Sequence, residues 1–448
     1  MPSLPQPPAP VAGEGPSVAS ALWRNAGWLI ADRGFRFLLV FSSGVMVTRH
    51  LGPSDAGQLG NALALAAIVA GLADLGLDGI IRRDVIQTPA AHGAILGTAF
   101  RLRVLATPVA LAVFIWILLH DRGVKPGPGL VLGVGLTLCA PAILVLDSWF
   151  QSQTQARYAV WGLTAGLALG AGLRALGVAH DAPLSWFGWV AGIELIASGL
   201  VLAALYRHTA ANHPPWRFDR AMAGQLVRSS WPLALTNLAI LLYTRIDVVL
   251  LSQLRDPHET GLYTAAVRIT EVGYILPMIL VNTLFPLLAR LHRDEPAKYL
   301  LMLQRLLITV AWGGLATALV LTLGAPMLVR TLYGAAFADT ATVITIGAWS
   351  CIFAGLGAVR AQWLLLNHLQ HYGLYYVVLG AVLNVVLNRW LIPPHGAAGA
   401  ALAGLITQGF IVFVAPLFFA ATRPCVPLLA RAFLFSGLNA PRAPTTTA

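Results

Sequence analysis

Two apolar runs in the second half of the chain limit its fold more than any other feature. They read WPLALTNLAILLYTRIDVVLLSQL (231–254) and TGLYTAAVRITEVGYILPMILVNTLFPLLARL (260–291). Each exceeds the ~20 residues that cross a bilayer as a helix, yet the first holds Arg245 and Asp247 and the second Arg268 and Glu271. A charge at mid-bilayer costs ~2.5–3.5 kcal/mol or more, so it persists only facing protein or a watery cavity. Arg268 and Glu271 are three apart and share a helix face, whereas Arg245 and Asp247, two apart, point to different sides. Two readings follow: internal ion pairs that fix helix packing, or a cationic, water-filled cavity in a transporter.

The rest of the chain is built of the same material. Hydrophobic residues make up 57% and charged residues 10%, against roughly 25% charged in soluble domains. This excludes a soluble protein and predicts an all-α integral membrane protein. Twelve spans are read, at about 26–47, 57–81, 97–119, 129–150, 157–179, 183–206, 230–252, 260–289, 301–323, 341–366, 372–392 and 397–421. They divide into a tail (1–20), a six-helix bundle (21–206), a linker (207–228), a second bundle (229–421) and a closing tail (422–448). The segment 425–436 is too short to cross and is placed on the surface. Residues 1–20 lack the basic start and apolar core of a signal peptide.

The net charge of +11 reflects arginines at span ends, which set topology and meet acidic headgroups, and implies no nucleic acid. Seventeen Lys and Arg, Arg101 and Arg103 among them, flank one set of span ends against six on the other. The excess predicts both termini in the cytoplasm. The three cysteines are scattered and read as inert thiols. The histidines lie in loops, tails or span edges, so neither a metal site nor a cofactor is expected.

A weak internal repeat runs through the chain. Pro53 and Gly57 after the first span match Pro257 and Gly261 after the seventh, at an offset of 204, which also brings Arg101 onto Arg305. Trp149 and Tyr158 match Trp363 and Tyr372 at an offset of 214. Each half has an even number of spans, so the halves enter the membrane alike. They are related by a pseudo-two-fold axis along the membrane normal and can rock about a central cavity.

Further charges mark the other spans. Arg33 and Arg36 open the first, with Asp32 one turn before Arg36. Asp74 and Asp78 stand one turn apart in the second, and Glu194 lies in the sixth. In the fifth, Gly162, Gly166 and Gly170 form a packing stripe that Arg174 continues, and the tenth holds Arg360. Asn384 and Asn388 in the eleventh suit hydrogen bonds between helices. Arginine's planar fork matches phosphate oxygens, so Arg33, Arg36, Arg174, Arg245, Arg268 and Arg360 together point to an amphiphile with an anionic head such as a diphosphate. Glu271, Asp74, Asp247 and Glu194 are the candidates for coupling to an ion gradient.

Three stretches carry a family resemblance: Trp28 to Asp32 followed by RHLGPSDAGQLG (49–60), RIDVVLLSQL with TGLYTAAVRITEVGYILP (245–277), and NVVLNRWLIPPHGAAGAALAGLITQG (384–409). They resemble bacterial polysaccharide-export flippases, the O-antigen (Wzx-type) branch of the multidrug/oligosaccharidyl-lipid/polysaccharide exporter superfamily, whose fold is MATE-like. The resemblance implies an undecaprenyl-diphosphate-linked oligosaccharide as substrate and the bacterial inner membrane as location. It also implies a proton or sodium ion for coupling and polysaccharide polymerase and chain-length proteins as partners. It maps the family's cationic cavity onto Arg245 and Arg268. Twelve spans argue against the lipid II branch, where fourteen are common. The alternatives are an ion-coupled multidrug antiporter, whose cavity should be acidic and aromatic, and a polytopic polymerase or ligase, which needs larger outer loops.

Overall fold

The computed structural model describes residues 18–120, 126–153, 155–209 and 215–434, without the side chains of 18–33 and 156. Among the described residues every regular element is helical. Ten runs are long and apolar enough to cross a membrane, and two of them, 54 and 48 residues long, are each far too long for a single crossing. Both are helix pairs bent at a glycine. The helix Val18–Asp74 breaks at Gly52, with φ +71°, and Pro53 opens the next limb. Glycine enters that left-handed region without a Cβ penalty, and proline needs no N–H partner in a first helical turn. The helix His371–Gly409 breaks at Gly396, φ +55°, after Pro393 and Pro394.

The chain is therefore a multi-pass membrane protein of twelve crossings. The first half holds α1 (18–51), α2 (53–74), α3 (His92–His120), α4 (Pro128–Ser152), α5 (Ala156–Ala179) and α6 (Leu184–Thr209). The second holds α7 (Arg220–Leu254), α8 (Pro257–Asp294), α9 (Pro296–Leu332), α10 (Thr340–Leu366), α11 (371–395) and α12 (397–418). Twelve crossings return both described ends to one face, here the terminal face; the α1–α2 and α7–α8 corners lie on the distal face.

Two sequence expectations are corrected. The linker is helical from Arg220, because Asp219 caps α7 by accepting hydrogen bonds from the backbone of Ala221 and Met222 at 2.8 and 3.1 Å. The segment after α12 is only partly superficial: a short helix, Cys425–Arg431, buries Cys425 and Leu429 against α9 and α10.

The repeat noticed in the sequence turns out to be a contact. A Cβ on Gly57 would fall on the carbonyl oxygen of Pro257, and one on Gly261 would fall on that of Pro53. Each half thus seats the other's equivalent turn, the signature of a two-fold axis between them. Arg49 of α1 adds a bond from Nη1 to the Thr331 carbonyl at 3.3 Å, at the C-terminal turn of α9 where a cation is favoured. The halves are closed on the distal face.

Leucine at Gly57 or Gly261 leaves no such seat, because backbone atoms fill it. We expect either change to part the halves there. In a background with the native cysteines replaced by serine, a cysteine at Ser43 should then react faster with an impermeant maleimide added from the distal side. Labelling unchanged from the parent would show that the glycines do not hold this face shut.

Candidate functional site

One face of α8 organises the interior. Thr264, Val267, Arg268 and Glu271 recur at three- and four-residue spacing and so line up along it. This face is a shared wall of three cavities. The largest, about 350 Å³, lies between the halves, with Phe37 and Phe41 of α1, Leu63 and Ala67 of α2, Arg245 of α7, and Arg268 and Glu271 of α8 around it. A second, about 160 Å³, extends from Arg268 into the first half, past Ser43 and Thr48 to Arg174 and Glu194. A third, about 140 Å³, lies within the second half behind Glu271 and holds Asp247, Asn384, Tyr243, Tyr263 and Tyr274.

The charges differ in how they are satisfied. Arg174 Nη2 forms an ion pair with Glu194 Oε2 at 2.6 Å. The glycine stripe makes that pair possible, since Gly162 seats Leu202, Gly166 seats Ser198, and a Cβ on Gly170 would displace the Glu194 carboxylate. Neither Arg245 nor Arg268 has a carboxylate within 4 Å among the described residues, and Nη1 of Arg268 is buried without a hydrogen-bond partner. The pairing of Arg268 with Glu271, one of the two readings of the sequence, is not made. The central cavity presents free guanidinium, which suits an anionic ligand.

Asp247 faces away from Arg245 into the second half, where it is 7% exposed. It accepts hydrogen bonds from Tyr263 Oη at 2.9 Å and Asn388 Nδ2 at 2.6 Å. Asn388 Nδ2 also donates to Asn384 Oδ1 at 3.0 Å within α11, so Asn388 is the asparagine that joins α11 to α7. No cation neutralises this carboxylate among the described residues.

A family model described as "Polysaccharide biosynthesis protein" matches residues 22–292, more than half of the sequence. The chain belongs to that family. No curated protein matches it in sequence. Among solved structures, the lipid II flippase MurJ in an inward closed conformation superposes with a TM-score of 0.71, at 14% identity, covering 90% of each chain. A multidrug resistance MATE family transporter of the MOP superfamily in its inward-facing conformation gives 0.70 at 14% identity, covering 88% of this chain and 96% of that one. A MATE family transporter of the same superfamily in its outward-facing conformation gives only 0.53 at the same identity and coverage. These likenesses establish the MATE-like fold for this member of the family.

The remaining sequence candidates lie elsewhere in the family member's structure. Arg360 lines none of these three cavities. It sits in the second half, its guanidinium carbon 4.7 Å from the Tyr376 ring centroid and Nη1 donating to the Ile411 carbonyl. Ile411 belongs to a π-helical turn, Phe410–Val414; such a turn disturbs helical pairing, and Arg360 satisfies a carbonyl there. Arg36 is half-buried and bears electrostatically on Asp147 of α4, outside the central cavity's lining. The Arg33 side chain lies outside the described residues.

Asp74 is claimed by a residue that charge counting assigned to a span end. Arg103 is fully buried, not at the surface, with Nη2 at 2.6 Å from Asp74 and 2.9 Å from Asp78. Asp74 also receives a 3.4 Å bond from Asn237 of α7, across the halves. A signal was present: Arg101 and Arg103 are two apart, so only one can face outward, and two aspartates one turn apart need a cation. Arg101 takes the outward place, over the Phe218 ring.

Proposed function

We propose that this protein is a flippase that carries undecaprenyl-diphosphate-linked oligosaccharide from the inner to the outer leaflet of a bacterial inner membrane, for O-antigen or exopolysaccharide synthesis. The observation that carries the reading is the cavity between the halves, where Arg245 and Arg268 face one space with no carboxylate within 4 Å of either among the described residues. Its ~350 Å³ falls within the roughly 300–1,000 Å³ of small-molecule sites, enough for a diphosphate and its first sugar. The polyprenyl chain stays in lipid, and rocking of the two halves exposes the cavity to each leaflet in turn. The basic excess at the terminal face supports both termini in the cytoplasm. Polymerase and chain-length proteins then receive the product.

Depleting the protein is expected to trap lipid-linked oligosaccharide in the inner leaflet, seen as glycan inaccessible to an external glycosidase until the membrane is opened. Undiminished access in depleted cells would reject the reading.

The cavity inside the second half favours ion coupling. It is acidic and aromatic, as a multidrug antiporter's site would be, yet at ~140 Å³ it is too small for a drug-sized ligand. It suits a proton or a sodium ion with a few waters. Of the four coupling candidates, Asp74 and Glu194 are paired to arginines, which leaves Asp247 and Glu271. Glu271 lines both this cavity and the central one and so links ion to substrate. Asp247→Asn and Glu271→Gln are each expected to slow transport several-fold and abolish its dependence on the ion gradient, with substrate binding retained. Gradient dependence unchanged in both variants would remove them from the coupling path.

A further inference from the structure

The Arg268 side chain starts on α8, in the second half, but its guanidinium ends on the backbone of α1, in the first. An ideal Cβ on Gly44 would fall on Nη1 and Cζ of Arg268, and all three of its nearest atoms belong to that guanidinium. The flanking positions on α1 offer no alternative seat: Val40 and Val47 line the same cavity with branched side chains, and Ser43 turns its hydroxyl back to the Val40 carbonyl at 3.4 Å. Arg268 borders both the central cavity and the cavity of Arg174 and Glu194. Its Nη1 is buried and has no hydrogen-bond partner among the described residues, so the guanidinium is held there by shape and not by a close counter-ion.

We propose that Gly44 is a positioning residue for the anion site: a notch in α1 that fixes the Arg268 guanidinium where the two cavities join. The inference rests on the anion-binding reading above and deepens it. A diphosphate spans two phosphoryl groups, and a guanidinium at the junction, with Arg245 on the central side, addresses both. The notch also makes the site depend on conformation. Gly44 belongs to one half and Arg268 to the other, so the seat exists only while α1 and α8 are apposed as here. When the halves rock, the guanidinium leaves its notch and the anion is released.

The test is a double-mutant cycle on the full-length protein in nanodiscs, with farnesyl diphosphate as the probe. Gly44→Ala and Arg268→Ala are each expected to weaken binding by about tenfold, the loss of one charge-assisted contact. The combined variant should bind no worse than Arg268→Ala alone, because Gly44 acts only through that guanidinium. Losses that multiply in the double variant would overturn the proposal. Wild-type affinity in Arg268→Ala would overturn the anion-binding reading itself, and loss in Gly44→Ala beside an intact Arg268→Ala would show that Gly44 works by another route. Thermal stability supplies the control for folding. Any destabilisation by Gly44→Ala should vanish in the Arg268→Ala background, since the clash involves that side chain alone; destabilisation that persists would refute the notch.

Discussion

Alanine at Arg268 is expected to cut export per molecule of membrane protein by about ten- to a hundredfold, the range that follows from losing hydrogen bonds to a charged group. Alanine at Arg245 should act in the same direction but less, because Arg245 is exposed to the cavity and its field is better screened. Abundance of both variants in the membrane should stay near wild type. Among the described residues neither arginine has a carboxylate within 4 Å, so truncation breaks no close ion pair, and removing an intramembrane cation relieves an insertion cost. A purely architectural role makes the reverse prediction, with abundance falling and function following in proportion.

Lysine separates the two roles further. It keeps the charge and loses the planar fork, and a compact ammonium does not fill the notch at Gly44 as a guanidinium does. Arg268→Lys should therefore be as abundant as wild type and export at an intermediate rate. The measurement is export normalised to membrane protein for wild type, Ala and Lys at both positions. Full export per molecule in both alanine variants would dispose of the cationic cavity.

The fold was legible because its determinants are local. Long apolar runs count the crossings, while Gly52–Pro53 and the Pro393, Pro394, Gly396 cluster mark bends that hydropathy alone would merge into one helix. The repeat of Pro53 and Gly57 in Pro257 and Gly261 carried the symmetry, and these residues touch reciprocally across the axis. The shared face of Arg268 and Glu271 was readable for a similar reason, since spacing along one helix fixes relative direction. What could not be read is rotation of one helix against another. The helix α3 is apolar nearly all round, and such a helix does not declare its inward side, so Arg103 reads as an interfacial arginine. Arg360 reads as a cavity residue because the π-turn that binds it leaves no sequence signature. Gly44 is unremarkable until the α8 side chain that lies across it is placed.

Arg103→Ala should be the most damaging single truncation in the first half. Leu75 and Gly76 take positive φ, 55° and 63°, so α2 stops abruptly and the Asp74 carbonyl needs another donor. Arg103 supplies it, through Nε and Nη2 at 3.2 Å. Nη1 meets the Pro141 carbonyl at 2.9 Å, where α4 is itself interrupted, and Nη2 bonds both aspartates. One guanidinium thus fastens two broken helices. Removing one member of a buried ion pair costs ~3–5 kcal/mol, and the 46% exposure of Asp78 places this case toward the lower value. The expected result is a large fall in the melting temperature of the detergent-solubilised protein and in its membrane abundance, with export lost in proportion. Adding Asp74→Asn and Asp78→Asn to Arg103→Ala should recover part of the stability, because the stranded charges go while the two carbonyls stay unmet. Arg103→Lys should fall between, since a single ammonium cannot reach all four acceptors. A melting temperature in Arg103→Ala equal to wild type would show that the two helix breaks hold without it.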